Sequence, residues 1–432
     1  MNEFAKKLNV VLKNENSSIY NMLSDLGKNL YYPKGILSQS EDAKKKAYRF
    51  DATIGIATED DDPMHFQHIQ KHFVGYAPEE IYPYAPPAGK QALRELWKKK
   101  LLNDNLSLRN QVFGVPIVTN ALTHGLSITA DLFVNPGDSI IVPDKYWGNY
   151  QSIYQTQRMG NLLTYPLFDE NRKFHTGAFR SILLKQKKRG KAIVILNFPN
   201  NPTGYTPLKE EVEEITSALY EAAEEGINIV VILDDAYFGL FYEDSIKESL
   251  FGKFAGIHPR ILPIKVDGVT KESYVWGLRV GFITYASKNS KILDVLEQKT
   301  KGLIRGTVSS GSHLSQTVIL HSLKSSEFQK ERQEKFKLME KRAKKVKEVL
   351  NQKKYEKYWS YYPFNSGYFM CLKLKEVNAE KLRHHLLNQY GVGVVAFNSK
   401  DLRVAFSCVE ERDIEELLTL IYKAVKDLTE SK

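Results

Sequence analysis

The chain has 432 residues, of which 42% are hydrophobic, 11% aromatic and 26% charged. This composition can fill hydrophobic cores, which excludes a disordered or fibrous chain, and the length exceeds what one core usually supports, so two domains are expected. The net charge of +10 arises from lysine runs that are scattered and interleaved with acids, so no nucleic-acid partner is predicted.

Residues 1–18 contain no continuous apolar segment of the kind found in signal peptides, and no run in the sequence is long enough to span a membrane. The only cysteines are Cys371 and Cys408, which argues against a disulfide framework. We therefore expect a cytoplasmic protein with no membrane partner. Roughly the first thirty residues are expected to form an arm or a helix against the body or a partner.

Two segments in the first third of the chain predict an anion site and a buried strand. Residues 119–125 (TNALTHG) precede a segment whose apolar positions fall on one face of a helix. Small residues at the start of a helix form a natural anion site, because the first backbone amides have no acceptor within the helix. Residues 140–143 (IIVP) then predict a strand, and residues 146–150 (YWGNY) follow it.

Two short apolar runs in the middle of the chain predict buried parallel strands. Residues 192–196 (AIVIL) precede NFPNNPTG at 197–204, and residues 229–233 (IVVIL) precede the sequence DDAY at 234–237. Runs of this length that are rich in β-branched residues are typical of strands buried on both faces. A helical stretch lies between them at 208–225, and this alternation favours an α/β fold with a mostly parallel sheet. Ligands bind at the carboxyl ends of such strands.

A lysine and an arginine complete the set of motifs. Residues 267–271 (DGVTK) lead into residues 277–282 (GLRVGF), so Lys271 and Arg279 stand eight residues apart around a turn that contains glycine. In order and spacing, the motifs together resemble those of class I and II aminotransferases, and they are closest to the aspartate and aromatic subfamily. The resemblance extends over residues 84–403.

This resemblance implies the architecture, the cofactor and the assembly. The expected fold is that of a fold-type-I enzyme, with a large domain built on a mostly parallel sheet and a smaller α+β domain. The expected cofactor is pyridoxal 5'-phosphate (PLP). A homodimer with shared active sites is also implied, because two of the residues that the family uses act across the subunit interface.

Lys271 is the residue that the resemblance assigns to covalent attachment of PLP and to proton transfer. An amine attacks an aldehyde only when it is deprotonated, whereas free lysine has a pKa of about 10.4. Lys271 therefore requires partial removal from water and nearby positive charge, which Arg279 and the cofactor can supply. Taken alone, one lysine in a chain with 61 lysines and arginines is more often a solvated residue.

The other cofactor contacts are implied by the same resemblance. Asp234 would keep the pyridine nitrogen protonated; the adjacent Asp235 is a second acid at this point, and the match to the family favours Asp234. Gly268 departs from the family pattern, because many members carry a serine hydroxyl three residues before the lysine, and this weakens the expected phosphate site. The full expected set is Ala121, Leu122, Thr123, Trp147, Asn201, Asp234, Tyr237, Thr270, Lys271 and Arg279, with Tyr84 reaching the phosphate of the neighbouring subunit. No metal site is expected.

Substrate contacts are expected from Arg403, Gly55 and Arg305. A planar guanidinium matches the α-carboxylate of an amino acid, and Arg403 in residues 401–407 resembles the family's carboxylate-binding arginine, with Gly55 adding a backbone contact. Arg305 resembles the arginine that crosses the dimer interface in aspartate and aromatic aminotransferases and binds a distal carboxylate. The alternative is that Arg305 simply ends a charged helix after Lys299 and Lys301.

The C-terminal part of the chain predicts a connecting helix and a smaller domain. Between residues 325 and 359 the sequence is charged, and apolar residues recur at helical spacing from Phe336 to Leu350. Residues 367–372 and 392–395 then predict strands. We expect residues 1–60 to form an N-terminal arm and part of the small domain, residues 60–325 the large PLP-binding domain, and residues 326–432 the connecting helix and small domain.

The function that this resemblance implies is transamination between an amino acid and a 2-oxo acid such as 2-oxoglutarate. Aspartate, glutamate and aromatic amino acids are the favoured donors. A PLP-dependent lyase or decarboxylase on the same fold stays open, because the bond that breaks depends on a substrate orientation that no motif fixes. A regulator that binds PLP without turnover is the third reading.

Overall fold

A seven-stranded sheet forms the centre of the computed structural model, which describes residues 1–15, 23, 28–29, 36–53, 55–60, 62–71 and 75–430. In spatial order its strands are Ile117–Asn120, Val280–Tyr285, Ile261–Gly268, Asn228–Asp234, Lys191–Asn197, Ser139–Pro143 and Asn161–Tyr165. Val280–Tyr285 runs antiparallel to both of its neighbours, and the other adjacent strands run parallel. The predicted α/β class with a mostly parallel sheet is confirmed.

Side chains alternate along the strands between two hydrophobic cores, one on each face of the sheet. Ile193 and Ile195 pack in one core, whereas Val194 and Leu196 pack in the other. Successive side chains of a strand point to opposite faces, so a strand that is buried on both faces has a continuous apolar sequence. This is the physical reason that the apolar run at 192–196 forms a strand.

Helices cover both faces of the central sheet. On the face that holds Ile193, the helix Ala121–Phe133 contributes Leu122 and Leu126 to the core. The helices that pack in the opposite core include Gln91–Asp104, Thr176–Leu184, Lys209–Glu224 and Leu250–Phe254. Further helices are Gln67–Lys71, Pro78–Ile81, Ser290–Thr307 and His313–Leu323. The result is a layered arrangement with the sheet in the middle.

The carboxyl ends of neighbouring strands bring predicted site residues side by side. Asn197 is level with Asp234 in the pairing of their two strands, and Asp234 is level with Val266 on the next strand. That next strand continues directly into the short helix Val269–Glu272, which carries Lys271. Residues that lie far apart in the sequence therefore meet at one edge of the sheet.

A second sheet, with four antiparallel strands, is formed by the C-terminal part of the chain. In spatial order its strands are Trp359–Tyr361, Phe369–Leu374, Asp401–Ala405 and Val395–Ala396. The helices Ala379–His385 and Ile414–Glu430 belong to the same part of the chain. The early strand Phe50–Asp51 pairs in parallel with Val392–Gly393, so the early chain joins the C-terminal part. The division at residues 60 and 326 stays a prediction.

A long helix, Ser326–Leu350, connects the two sheets. The sequence predicted a helix over 325–359, but the helix ends at Leu350 and the chain then turns into the strand Trp359–Tyr361. Its buried positions include Met339 and Val346 of the predicted apolar stripe, and Val349 is buried beside them.

The N-terminal part contains the helices Glu3–Glu15 and Ile36–Lys46 and a hairpin of Thr58–Glu59 with Asp62–Pro63. Most of the predicted N-terminal arm between residues 16 and 35 lies outside the described residues. Among the helices of the described residues, none is both long and apolar enough to cross a membrane.

Candidate active site

A cavity of about 220 Å³ opens at the carboxyl ends of the parallel strands. Every residue predicted to bind the cofactor within one subunit lines it, so Tyr84 is the one predicted cofactor contact that lies elsewhere. The cavity is lined by Ala121, Leu122, Thr123, Leu126, Trp147, Asn197, Asn201, Asp234, Ala236, Tyr237, Thr270, Lys271 and Arg279. Strand ends, a helix N-terminus and two loops thus converge on one site.

The two adjacent acids at the end of Asn228–Asp234 face opposite sides of the sheet. Asp234 lines the cavity and accepts a hydrogen bond from Tyr150 Oη at 2.5 Å. Asp235 faces the other core, where it accepts a hydrogen bond from Ser249 Oγ (2.5 Å) and forms an ion pair with the fully buried Lys265. The alternation of side chains along a strand therefore assigns the cavity to Asp234.

The Asp234 carboxylate has the geometry expected of a partner for a cationic ring nitrogen. Its Oδ1 atom is buried and has no hydrogen-bond partner among the described residues. Burial raises the pKa of Asp234 to about 6, while the hydrogen bond from Tyr150 and the charge of Lys271 oppose this rise. An unpaired, buried carboxylate oxygen at a cavity wall fits a ligand with an N–H⁺ group, and the protonated pyridine nitrogen of PLP is such a group.

Lys271 has the reactive amine that the site requires. It is partly buried, and its Nζ atom lies 5.3 Å from the centre of the Tyr237 ring. The pKa of Lys271 is lowered to about 8, mainly because the amine is removed from water. The charge of Asp234 acts against this lowering, and the charge of Arg279 contributes to it. A substantial fraction of the amine is therefore deprotonated in the neutral to mildly alkaline range.

The opposite end of the cavity offers backbone amides and a guanidinium to a phosphate. The helix Ala121–Phe133 begins there, and Ala121 adopts a left-handed conformation with a φ of 62°. The resemblance implied the amides near Ala121 and Leu122 and the hydroxyl of Thr123 as phosphate contacts. The Ala121 amide instead donates to Arg279 O at 3.1 Å, so the Leu122 amide and the Thr123 hydroxyl remain as the predicted contacts. Arg279 lines the same end.

Close packing of two glycines explains the departure at Gly268. Gly268 and Gly281 lie opposite one another on adjacent antiparallel strands. A Cβ atom added at Gly268 would lie 2.7 Å from both Gly281 Cα and Val280 O. One added at Gly281 would lie 2.6 Å from Ala121 C and 2.9 Å from Leu122 N. The neighbouring strand therefore leaves no room for a serine at 268, and the start of the helix leaves none for a side chain at 281.

Arg403 lies next to the cavity and is 1% exposed. Its Nη1 donates to Asn201 Oδ1 (2.9 Å), its Nη2 donates to Thr53 O (2.6 Å), and its guanidinium carbon lies 4.2 Å from the centre of the Phe369 ring. Its Nε has no hydrogen-bond partner in the described part of the chain. Burial lowers the pKa of Arg403 to about 10, so the guanidinium stays charged at neutral pH.

Gly55 approaches the same region through its backbone. A Cβ atom added there would lie 3.1 Å from Phe369 Cζ and 3.3 Å from Tyr237 Oη.

Two predicted site residues lie elsewhere. Tyr84 is 92% exposed, and Arg305 is exposed with its Nη1 donating to Ser309 Oγ. Tyr84 and Arg305 lie outside the cavity of their own subunit.

Several site residues had no role in the sequence interpretation, among them Leu126 and Ala236 of the cavity wall and the three that follow. Tyr150 holds Asp234, and its position one helical turn after Trp147 was a usable signal. Asn197 holds the turn that follows it, because its Oδ1 accepts from the Asn201 amide (2.8 Å) and its Nδ2 donates to Asp234 O (2.8 Å). Phe369 comes from the other sheet, and no local pattern pointed to it.

Comparison with known proteins identifies the family. The sequence profile of the family described as "Aminotransferase class I and II" matches residues 65–421, which is most of the chain. The chain belongs to this family.

Curated relatives of this aminotransferase-family chain include enzymes named for different amino acids. An aspartate aminotransferase of Bacillus sp. (strain YM-2) is 25% identical over 268 residues, which cover 61% of this chain and 63% of that protein. A tyrosine aminotransferase of Caenorhabditis elegans is 25% identical over 239 residues, which cover 52% of this chain and 47% of that protein. The chain therefore aligns with less than two thirds of the length of these relatives.

Solved aminotransferase structures share the fold over nearly their whole length. An aminotransferase from Anaerococcus prevotii superposes with a TM-score of 0.83 at 21% identity, covering 93% of this chain and 99% of that chain. Kynurenine aminotransferase from Pyrococcus horikoshii superposes with a TM-score of 0.79 at 18% identity, covering 95% of this chain and 98% of that chain. The predicted fold-type-I architecture is confirmed.

We expect Gly268→Ala to destabilise this aminotransferase-family protein by about 1–3 kcal/mol, because the added methyl group would clash with backbone atoms of the neighbouring strand. Thermal unfolding measures the change. Gly277→Ala is the matched control, since its methyl group would point into open space. Equal melting temperatures for the two variants would contradict the packing argument.

We expect the rate at which Lys271 reacts with an aldehyde to rise with pH through a midpoint near 8. Below that pH the amine is protonated and unreactive, and above it the free amine dominates. Borohydride trapping of PLP on the protein, followed by peptide mapping, measures the rate. A midpoint near the value of about 10.4 for a free lysine would show that the cavity does not lower this pKa.

Proposed function

We propose that the protein is a PLP-dependent aminotransferase that exchanges the amino group of an amino acid for the oxygen of a 2-oxo acid. The observation that carries the proposal is the convergence of Lys271, Asp234 and Arg279 on one cavity. Each of the three meets a different requirement of the cofactor, namely covalent attachment, a partner for the ring nitrogen and a phosphate contact. Family membership supports the same conclusion.

PLP, when bound, supplies an aldehyde that condenses with amines and a ring that accepts the electron pair released at the substrate α-carbon. Asp234 would hold a proton on the ring nitrogen through its unpaired Oδ1 atom. Tyr150 keeps the other carboxylate oxygen in place, and its raised pKa, caused by burial, ensures that it donates. Leu122, Thr123 and Arg279 would bind the phosphate.

Lys271 would act twice in the reaction. Its amine would hold the cofactor covalently before the substrate binds. When it is free, the same amine, which lines the cavity, would take the proton from the substrate α-carbon and later return a proton to the product. A pKa of about 8 suits both roles, because an amine near this value can accept and release a proton at physiological pH.

Arg403 would bind the α-carboxylate of the substrate. Its guanidinium is buried, charged and fixed by Asn201 and Thr53, so it offers its remaining N–H groups in a preorganised geometry. Gly55 would add a backbone contact from the early chain, and an added Cβ there would press closely on Phe369 Cζ, at 3.1 Å. This pair would orient every amino acid substrate in the same way.

Aspartate, glutamate and aromatic amino acids are the donors that we propose, with 2-oxoglutarate as an acceptor. Relatives named aspartate aminotransferase and tyrosine aminotransferase support this range. Arg305 supports dicarboxylates in particular, because a guanidinium in the cavity of a partner subunit would pair with a distal carboxylate.

We further propose a homodimer in which Tyr84 and Arg305 reach the cavity of the partner subunit. Tyr82 is 79% and Tyr84 92% exposed, and two exposed tyrosines separated by one residue are typical of an interface. Arg305 is likewise exposed and lies outside its own cavity. Both predicted cross-subunit residues are therefore available to a partner.

We place the protein in the cytoplasm. The sequence contains only two cysteines, which supports a reducing compartment.

Lys271→Ala is expected to abolish the absorption band of lysine-bound PLP and to lower kcat by about 10²–10⁴-fold or more. Spectra recorded before and after addition of aspartate, glutamate, tyrosine or alanine, and then 2-oxoglutarate, measure both effects and name the donor. Lys253→Ala, which changes an exposed lysine, is the control and should behave as the wild type. Substantial turnover by Lys271→Ala would rule out its role. A wild-type band that no amino acid changes would favour a lyase or a regulator.

Arg305→Ala is expected to lower kcat/KM for aspartate by about 10- to 100-fold, through loss of a charge-assisted contact, with a smaller effect on tyrosine. Lys299→Ala removes an exposed charge from the same helix and serves as the control.

Hybrid dimers test whether Arg305 acts across the interface. A dimer of one Lys271→Ala subunit and one Arg305→Ala subunit contains one intact site if the site is shared, and it should retain activity towards aspartate. If Arg305 acts within its own subunit, neither site of the hybrid is intact. Equal losses for aspartate and tyrosine in Arg305→Ala would contradict a distal-carboxylate role.

A further inference from the structure

A buried ion pair joins the loop before Trp147 to the strand that carries Arg403. Lys145 Nζ lies 3.1 Å from Asp401 Oδ2 and 2.7 Å from Asp144 Oδ2. Lys145 is 8% exposed and Asp401 is 2% exposed. The contact therefore ties the central sheet to the antiparallel sheet at a place from which most water is excluded.

Several groups fix the geometry of this pair. The Asp401 carboxylate also accepts hydrogen bonds from Tyr362 Oη (2.9 Å) and Asn398 Nδ2 (2.6 Å). Lys145 Nζ lies 5.0 Å from the centre of the Tyr362 ring, and Lys145 O accepts a hydrogen bond from Asn200 Nδ2 (3.0 Å). Asn200 precedes Asn201, so the backbone of Lys145 is also tied to the turn that contacts Arg403.

Stability alone is a weak explanation for such a pair. Taking two charges out of water offsets much of their attraction, and apolar side chains of similar volume are often as stable. Burial opposes the charged form of Lys145, yet Asp144 and Asp401 raise its pKa above the ordinary value, so it stays charged. What the pair provides is a defined distance between the two sheets.

That distance sets the position of Arg403. Asp401 and Arg403 are two residues apart on one strand, so their side chains leave the same face of the sheet. Lys145 holds the first of these side chains, and Asn201 together with Thr53 O holds the second. A displacement of the strand would therefore move the guanidinium away from the cavity that Asn201 lines.

We propose that Lys145 is a positioning residue for substrate binding, whose ion pair with Asp401 holds the Arg403 strand where the guanidinium meets the α-carboxylate of an amino acid. The pair also neutralises Asp401, whose unpaired charge would repel an incoming carboxylate. This inference rests on the proposed function, because it takes Arg403 as the carboxylate-binding residue.

Three variants test the proposal in the PLP-loaded protein. Lys145→Met removes the charge and keeps most of the volume, Lys145→Arg keeps the charge, and Lys187→Met removes a lysine from an exposed ion pair with Glu225. Lys145→Met should raise the KM of amino acid donors about 10-fold or more while kcat stays within about two-fold. Lys145→Arg should restore most of the affinity, Lys187→Met should match the wild type, and the Kd of PLP should stay unchanged in each.

Hydrogen exchange gives a readout that needs no turnover. The backbone amides of Asp401–Ala405 should exchange faster in Lys145→Met than in the wild type or in Lys187→Met. Unchanged exchange in Lys145→Met would overturn the proposal. Faster exchange with an unchanged KM would also overturn it, because the strand would then move without affecting substrate binding. So would a loss of PLP affinity as large as the loss of substrate affinity. A wild type that turns over no amino acid would instead contradict the proposed function, and the exchange experiment would still decide whether Lys145 holds the strand.

Discussion

The register of the strand Asn228–Asp234 within the parallel sheet is the constraint on which the site depends. Adjacent side chains of a strand face opposite sides, so Asp234 faces the cavity while Asp235 faces a core in which Lys265 neutralises it. A shift by one residue would exchange the two acids and would direct Asp234 towards Lys265. The same pairing sets Asn197 beside Asp234, where it holds the turn that carries Asn201. The buried pair with Lys265 therefore favours the register that the site requires.

Close packing at the edge of the sheet shapes the other end of the cavity. Gly268 and Gly281 face one another on adjacent strands, and the absence of a side chain at Gly281 lets the start of the helix at Ala121 approach the sheet. The amides of that first turn can then point at an anion, and Arg279 adds a charge.

The substrate side of the cavity is assembled where the two sheets meet. Arg403 belongs to the antiparallel sheet, yet its guanidinium is fixed by Asn201 from the central part and by Thr53 O from the early chain. Lys145 and Asp401 make a second connection beside it. If Arg403 binds the substrate as proposed, substrate binding depends on the relative position of the two sheets. A change in that position would then alter affinity for the carboxylate without moving the groups proposed to face PLP.

The sequence by itself determined the α/β class, the strands that end in polar residues, and the family to which Lys271, Asp234 and Arg279 point. These follow from local rules, because apolar runs, turn residues and motif spacing are properties of short segments. Only the tertiary structure showed that Asp234 and Asp235 face opposite sides of the sheet, explained Gly268, and brought Phe369 and the ion pair of Lys145 with Asp401 to the site. The physical reason is that register, backbone clearance and contacts between sheets depend on contacts between separate elements of the chain, and no local pattern encodes them.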